Sequence, residues 1–541
     1  MRLRIGTRGS DLALWQARHV AGRLEDAGAR CELVVLETRG DRIDDVPLQS
    51  VEGKGFFTKE IEEALLAERI DLAVHSLKDL PSAMTPGLAL AAIPARAPAE
   101  ERLLIAPRAH APGELFLPLA RGARVGTSAP RRTAQLAALR PDLALLPLRG
   151  NVPTRVRRLR EGRHDAIVLA AAGLERLALE LEDLVVLTLP RELLVPAPGQ
   201  GALAIQTRAG DAELVALCAR ALHDAPTAAT VAAERELLVV LGGGCNLPLG
   251  VSIARGARGW QAEAFLGAGH PTPAAPARWC RATGADPAGA GRAAAERLLA
   301  GAPTGAGPLE GLCVALTGAR DSARELAERL ATLGADVRRE EVLTVEDLDG
   351  HALAPSLARL RAGDALVVTS ANAARRLAGL TVPADVLVAA VGPATERALA
   401  AAGLRAAQVG RAGAAALARA LELAPGARVL FPCAADARRE LEQELAPRGV
   451  TVERCVLYRT HARADVALAL EAEARAYLSP SAVAAALAWE RAQAPRARRV
   501  ALGPATAAAL AAAGLAHVQA ASTDPEDVLA ALVRREETPL S

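Results

Sequence analysis

At 541 residues the chain is too long for a single hydrophobic core, so several domains are expected. Its 51% apolar and 23% charged residues are those of a folded globular protein and exclude disordered and fibrous classes. The net charge of +2 excludes little by itself. The seven cysteines (Cys31, Cys218, Cys245, Cys280, Cys313, Cys433 and Cys455) are odd in number and contain no CxxC pair, which argues against a disulfide framework or a zinc site and for a reducing cytoplasm.

The opening MRLRIGTRGSDLALWQ has no uninterrupted apolar stretch and no small-residue cleavage site, so it does not read as a signal peptide. The apolar runs RLRIGT, CELVVLET and IDLAVHSL then alternate with helix-like stretches at Ser10–Ala27 and Thr58–Glu68, which predicts β/α units. The chain holds 61 arginines but only three lysines, Lys54, Lys59 and Lys78, all within 25 residues. That clustering marks sites where a compact ammonium cannot be exchanged for a planar guanidinium. IDLAVHSLKDLP (Ile70 to Pro81) is a buried-type strand running into a polar turn, with His75, Lys78 and Asp79 at the strand end. Taken alone, Lys78 beside Asp79 is more often a surface ion pair.

Residues 123–208 repeat the style, with ARVGTS, LALLPLRG, DAIVLAAAG and ALAIQTR as predicted strands. Between Arg131 and Arg160 there are eight arginines and one acid, Asp142, a local charge of +7 that calls for an anionic ligand. TRGS (Thr7 to Ser10), GKGFFTKE (Gly53 to Glu60), GTSAPRR (Gly126 to Arg132) and LRGNVPTR (Leu148 to Arg155) each set cations beside glycine or hydroxyl residues at a strand end. Such a set suits a ligand with many carboxylates, and two α/β halves carrying it at their strand ends imply a cleft between lobes. No GxxxxGK(S/T) or helix-opening GxGxxG occurs, which disfavours nucleotide cofactors. No Phe, Trp or Tyr lies between Leu117 and Gly259, so the arginine-rich stretch lacks stacking platforms and no nucleic-acid partner is expected.

Residues 222–300 differ: a helix at Ala225–Leu241, a glycine turn, strands and a last helix at Gly291–Ala300 predict a small α+β domain. In LGGGCNLPLG (Leu241 to Gly250) Cys245 follows three glycines. A free cysteine is usually a small buried hydrophobe, but a glycine-flanked loop favours reactivity. Gly301–Gly307 reads as a linker. Beyond it, VGPATERALAAAGL (391–404) and LGPATAAALAAAGL (502–515) are near copies and predict two similar α/β lobes. The longest uncharged run, Val500–Thr523, could span a bilayer by length, but Pro504 and its many alanines mark a soluble helix, so no membrane partner is expected.

TRGSDLALWQA, TRGD, GKGFFTKE, HSLKDLP, VGTSAPRR, LRGNVPTR, DAIVLAAAGLERL, PAPGQGALAI and GGGCNLPLG together resemble, in order, porphobilinogen deaminase (hydroxymethylbilane synthase) over about residues 1 to 300. The resemblance implies a dipyrromethane cofactor on Cys245 through a thioether, extended by porphobilinogen one unit at a time. It implies that Asp79, with Lys78, is catalytic: its carboxylate faces the pyrrole nitrogens, stabilises the azafulvene cation left by ammonia and shuttles protons. Ser10, Lys54, Thr127, Ser128, Arg131 and Arg132 would bind the cofactor, and Arg8, Arg149, Arg155 and Arg176 the acetate and propionate arms of the growing chain. Two departures stand out: APAEER (Ala97 to Arg102) replaces a DPRDA-like hinge segment, and Asp11 stands where proline or lysine is common.

Residues 309–541 resemble uroporphyrinogen-III synthase through VTSANAARRL, VGPATERAL, RVLFPCAADARRELEQELAPRGVTVERCVLYRT, YLSPSAV and LGPATAAAL. The opening Thr-Arg-Pro motif of that family is here Thr317-Gly318-Ala319, with Arg320 displaced. Tyr458 and Thr506 match the family's cleft residues and are expected to be catalytic; Thr369, Ser370, Asn372, Thr395, Ser479 and Ser481 would contact substrate. That reaction depends mainly on holding a flexible bilane in a ring-closing conformation.

The expected fold is α/β throughout: two-lobed, periplasmic-binding-protein-like α/β domains with a small α+β domain, then a two-lobed, flavodoxin-like synthase module. The expected divisions are 1–96 plus 197–217, 97–196, 222–300, a linker at 301–308, then 309–346 plus 461–541 and 350–457. The expected function is bifunctional: four porphobilinogen units to hydroxymethylbilane with loss of ammonia, then closure to uroporphyrinogen III with the last ring inverted. The substrates are the only partners expected, for a cytoplasmic monomer without a metal. Two rivals stand beside this reading: a deaminase with a non-catalytic C-terminal module, and an anionic-solute-binding protein, the latter disfavoured by Cys245 and by the lack of an export signal.

Overall fold

A computed structural model describes residues 1–38, 58–112, 114–243, 247–256, 259–270, 277–300, 306–319, 323–410, 413–464, 466, 468–493, 497–521 and 525–533. In chain order, β1 (Arg2–Thr7), β2 (Arg30–Val35), β3 (Leu72–Ser76) and β4 (Leu88–Ala92) enter one sheet, β5 (Glu101–Ile105), β6 (Arg124–Gly126), β7 (Ala144–Leu146), β8 (Ala166–Ala170) and β9 (Val185–Leu189) a second, and β10 (Leu203–Arg208) returns to the first. The strand orders are β2-β1-β3-β10-β4 and β7-β6-β8-β5-β9. Both sheets share one pattern: three parallel strands, then one antiparallel to them (β10 or β5), then β4 or β9 antiparallel to that. β5 and β10 are each the first strand after a crossover, 93–100 and 190–202, so each sheet includes a strand that arrives from the other lobe.

Local sequence explains these elements. Ser10 caps the helix Asp11–Asp26 by accepting from the Ala13 N–H, and the helix lays Ala17, Val20, Ala21 and Leu24 on a core of Leu3, Ile5, Leu72, Val74 and Ile205. Burying one such leucine stabilises by about 2 kcal/mol. β3 is buried almost throughout because helices cover both faces of a mostly parallel sheet. DAIVLAAAG, predicted as one strand, divides: β8 ends at Ala170 and Ala171–Leu177 is helical, since the β-branched residues end at Val168 and alanine is the best helix former.

β11 (Leu249–Gly256), β12 (Gly259–Leu266) and β13 (Arg278–Gly284) form an antiparallel meander packed by the helices Ala225–Val240 and Pro287–Ala300. The second helix begins earlier than predicted because Asp286 accepts from the Gly289 N–H at 2.6 Å and so caps it. Cys245 lies outside the described residues, as do Lys54 and Arg320.

The chain divides into two compact units, Met1–Glu310 with Thr332–Gly334, and Gly311–Ala331 with Ala335–Ser541. The second is built on one ten-stranded sheet. Its strands are β14 (Cys313–Ala319), β15 (Asp336–Asp347), β16 (Ala365–Val368), β17 (Leu387–Ala390), β18 (Gln408–Val409), β19 (Arg428–Ala434), β20 (Thr451–Ala462), β21 (Ala474–Tyr477), β22 (Arg498–Ala501) and β23 (Val518–Gln519). The order is β18-β17-β16-β19-β20-β15-β14-β21-β22-β23, parallel everywhere except between β15 and β20. These two 12-residue strands each pair in parallel within their own half and antiparallel with each other at their far ends, Leu343 opposite Ala462 through Asp347 opposite Tyr458.

Each half is therefore a five-stranded parallel sheet, β15-β14-β21-β22-β23 and β20-β19-β16-β17-β18. The first has the doubly wound order 2-1-3-4-5, and the second has the same order if counting starts at β19, so the halves are circular permutations of one another. The duplicated GPAT sequences follow β17 and β22, which are equivalent strands under that permutation.

Candidate functional site

In the first unit the strand β3 ends in a single turn of 3₁₀ helix, Leu77–Asp79, held by a bond from the Leu77 N–H to the Ala202 carbonyl. This turn leaves Asp79 exposed and Lys78 half-buried. The Lys78 ammonium donates to Gln200 Oε1 at 3.2 Å, and Arg131 Nη2 donates to the same oxygen at 3.1 Å. Gln200, itself fully buried on one crossover, donates to the Ala99 carbonyl on the other at 2.6 Å. One cation from each lobe thus meets on a side chain that joins the two crossovers.

Arg131 and Arg132 sit in the first turn of the helix Pro130–Leu139, the end of a helix that disfavours cations. Glu101, the first residue of β5 and fully buried, holds both. Arg132 grips it with Nε at 3.1 Å and Nη2 at 2.7 Å, and Arg131 through Nη2. Burial alone would raise the Glu101 carboxyl, but the two guanidinium groups hold it far below the usual carboxylate range. Conversely, burial pushes Lys78 down to about 8, with Asp79 and Glu101 opposing and the arginines assisting. Burial likewise pushes Arg131 and Arg155 down to about 10; Asp79 raises Arg155 while Arg132, Arg149 and Arg158 lower it. Four cations, Lys78, Arg131, Arg132 and Arg155, thus face two carboxylates, Asp79 and Glu101, and this excess in a low-dielectric cleft favours a polyanion.

Hydroxyls and turns fix this cluster. Ser128 Oγ donates to the Leu148 carbonyl at 3.0 Å and accepts from its N–H at 2.9 Å, so the GTSAPRR turn is locked to the LRGN turn. Thr127 is buried and accepts from the Ala129 N–H at 3.3 Å. Arg155 Nε donates to the Gly150 carbonyl at 2.7 Å, and the Arg149 carbonyl accepts from Arg158 at 2.9 Å. Arg8 follows β1 on the side of His75, whose burial keeps it neutral, lowered to about 4. Arg176 lies 5.7 Å over the Trp15 ring and donates to the Gly201 carbonyl, next to Gln200, at 2.7 Å, and Ser10 is a helix cap. Glu101 and Gln200 were not foreseen; the clue was an acid at the start of an apolar run, ERLLI, in the segment that departs from DPRDA.

These residues suit the dipyrromethane that the first unit's sequence implies: a surplus of buried and half-buried cations matches its carboxylate arms, and Asp79 is the exposed carboxylate beside them.

In the second unit the expected residues lie at the carboxyl ends of parallel strands, where doubly wound sheets bind ligands. Thr369 and Ser370 follow β16; Ser370 caps the helix Ala371–Arg375, which carries Asn372, by accepting from the Ala373 N–H at 3.0 Å. Tyr458 of β20 is buried, and its hydroxyl lies 2.8 Å from Ser370 Oγ. Burial pushes the Tyr458 phenol up, opposed by Ser370 and by Arg376, whose guanidinium sits 4.7 Å over the ring. Thr395 is buried in the helix Pro393–Ala401 after β17. Ser479 follows β21 and accepts from the Ala482 N–H at 3.2 Å, with Ser481 in the helix Pro480–Gln493. Thr506 is buried in the helix Pro504–Ala512 and donates to the Leu502 carbonyl at 3.3 Å. Ser370 and Tyr458 are thus joined, whereas the Thr506 hydroxyl is engaged within its own helix turn.

Residues 3–216 match a family model described as the porphobilinogen deaminase dipyromethane cofactor binding domain, and residues 324–530 one described as uroporphyrinogen-III synthase HemD. The porphobilinogen deaminase of Roseiflexus castenholzii is 46% identical over 300 residues, covering 55% of this chain and 95% of its own. That of Syntrophotalea carbinolica is 52% identical over 249 residues, covering 46% and 76%. A solved uroporphyrinogen III synthase mutant from Thermus thermophilus is 23% identical and covers 40% of this chain and 96% of its own with a TM-score of 0.30, too low to carry weight. The chain belongs to the porphobilinogen deaminase family, and a uroporphyrinogen-III synthase domain follows in the same chain, a fusion of two enzymes of tetrapyrrole synthesis.

Proposed function

We propose that the first unit polymerises four porphobilinogen units, with release of ammonia, on a dipyrromethane attached to Cys245, and that the second closes the resulting hydroxymethylbilane to uroporphyrinogen III with its last ring inverted. The observation that carries the first half is the excess of cations beside Asp79, with Arg131 and Arg132 buried and Lys78 and Arg155 half-buried. When bound, the dipyrromethane supplies the pyrrole carbon that attacks the incoming unit. Lys78, Arg131, Arg132, Arg149 and Arg155 hold carboxylate arms, with Arg8 at the rim and Lys54 on the 39–57 segment. Asp79 faces the positive charge that develops on porphobilinogen as its amine leaves as ammonia, and takes up the proton released when the new carbon–carbon bond forms.

In the second unit Ser370 Oγ already accepts from Ala373, so whichever hydroxyl donates within the Ser370–Tyr458 pair, one O–H remains for substrate. That O–H protonates the hydroxyl of the hydroxymethyl group, which leaves as water while its carbon becomes the closing bridge; the proton shed by the attacked pyrrole carbon restores the donor, so the net change is loss of one water. Thr369, Asn372, Thr395, Ser479, Ser481 and Thr506 shape the cleft that selects the ring-inverted conformer.

We assign 1–96 with 197–217, 97–196 and 222–300 as the three parts of the deaminase, and 309–346 with 461–541 and 350–457 as the two lobes of the synthase. A cytoplasmic monomer is part of this reading; the cysteines in the described residues are free thiols, as a reducing compartment keeps them. No helix of the described residues is long and apolar enough to cross a membrane.

Intact-mass measurement with an isomer assay tests the proposal. The purified chain is expected to exceed its sequence mass by one dipyrromethane, Cys245→Ser to fall back to the bare mass, and porphobilinogen to yield the type III isomer. A bare mass for the unaltered chain overturns the first half; type I product alone overturns the second.

A further inference from the structure

Tyr458 is one of only two tyrosines in the chain, and it is held on several sides at once. The Arg376 guanidinium places its carbon 4.7 Å from the ring centroid. Arg376 is fixed in turn: Nε donates to Asp347 Oδ1 at 2.8 Å, and Nη1 to the Asn372 carbonyl at 2.6 Å. Asp347 stands directly opposite Tyr458 in the antiparallel ribbon of β15 and β20. The Tyr458 carbonyl accepts from the Ala435 N–H at 2.8 Å, which pins the strand at the end of β19. Tyr458 is thus gripped on its ring face by Arg376, at its hydroxyl by Ser370 and along its backbone by β15 and β19.

We infer that Arg376 is a positioning residue for ring closure: it clamps the Tyr458 ring through a cation–π contact, itself anchored by Asp347 and Asn372, so that the phenol O–H of the Ser370–Tyr458 pair is aimed at the departing hydroxyl. This rests on the reading of the Ser370–Tyr458 pair as the proton donor, with Ser370 donating to the phenol oxygen so that the free O–H is that of Tyr458. A guanidinium suits the task because it stacks on an aromatic face while its edge donates to a carboxylate and a carbonyl, and an ammonium cannot do both. The contact also carries charge. Arg376 favours the ionised phenol, Asp436 and Cys433 oppose it, and burial dominates, so the donor stays protonated near neutral pH.

The test uses the full chain with Arg376→Gln, Arg376→Lys and Tyr458→Phe, assayed with hydroxymethylbilane. Circular dichroism of each variant, together with the fluorescence of Trp489 in the same unit, serves as a folding control. Arg376→Gln is expected to lower kcat for the type III isomer by roughly tenfold or more with KM little changed, as misaimed reacting groups do. Arg376→Lys keeps the charge without the stacked fork and is expected to recover only part of that loss. Tyrosinate absorbance, taken as the difference from Tyr458→Phe, is expected to show Tyr458 ionising at higher pH in Arg376→Gln. The second tyrosine, Tyr477, is pushed far up by burial and its Glu490 partner and does not interfere. An unchanged kcat and an unmoved Tyr458 titration in Arg376→Gln overturn the clamp, and a rise in KM at constant kcat overturns it in favour of direct substrate binding. If Tyr458→Phe retains full kcat, the donor reading itself falls; if Tyr458→Phe is impaired while Arg376→Gln is not, the donor stands and the clamp falls.

Discussion

Lys78 is drawn in two directions by its surroundings. Burial lowers its pKa from 10.5 to about 8, so the folded chain releases this proton earlier than the unfolded chain does. Between those values the unfolded state binds more protons, and the contribution of Lys78 to stability rises with pH. Its hold on a carboxylate runs the opposite way, because the neutral amine has lost its charge. Deaminase kcat/KM, which reports the free enzyme, is therefore expected to decline above pH about 8 without a matching fall in melting temperature, and Lys78→Arg to move that decline to higher pH. Unchanged kcat/KM in Lys78→Met removes Lys78 from carboxylate binding. At the next residue, Asp79→Asn preserves shape and removes charge, so turnover is expected to drop by about 100-fold or more while the circular dichroism is unchanged. Full activity in that variant takes Asp79 out of the mechanism.

At the level of elements, the sequence was most readable where one strand and one helix alternate under strong periodicity. The helix at Ser10 announced its own cap, and β3 its burial on both faces. The cations of GTSAPRR and LRGNVPTR could be named because glycine, hydroxyl and arginine recur at strand ends. What did not show was the wiring among them. Glu101 lies 30 residues from Arg131, and Gln200 lies 122 from Lys78, so nothing local betrays that one carboxylate and one amide organise Lys78, Arg131 and Arg132. The hydroxyls of Thr127, Ser128 and Ser10 looked like ligand groups, but their visible partners are backbone atoms that shape turns and a helix end. In the second unit the repeated GPAT segments disclosed two related lobes, while the permuted strand order that relates them depends on pairings between β14 and β21 and between β16 and β19 that no local pattern encodes.

For the molecule as a whole, two compact units in one chain predict unfolding that is not two-state. Trp15, Trp260 and Trp279 belong to the first unit and Trp489, packed under Arg475 at 4.8 Å, to the second. Along a urea gradient, tryptophan fluorescence, ammonia release and type III yield are expected to give separate midpoints. Three coincident transitions show instead that the fusion unfolds as one cooperative body. The two outermost strands of the ten-stranded sheet, β18 and β23, are only two residues long. A wide sheet ordinarily exposes a row of unpaired peptide groups at each border, an invitation to pair with neighbouring chains in a crowded solution. Here each border is too short to serve as a template, so a protein with an unusually extended sheet carries built-in resistance to growing into fibrils from its edges.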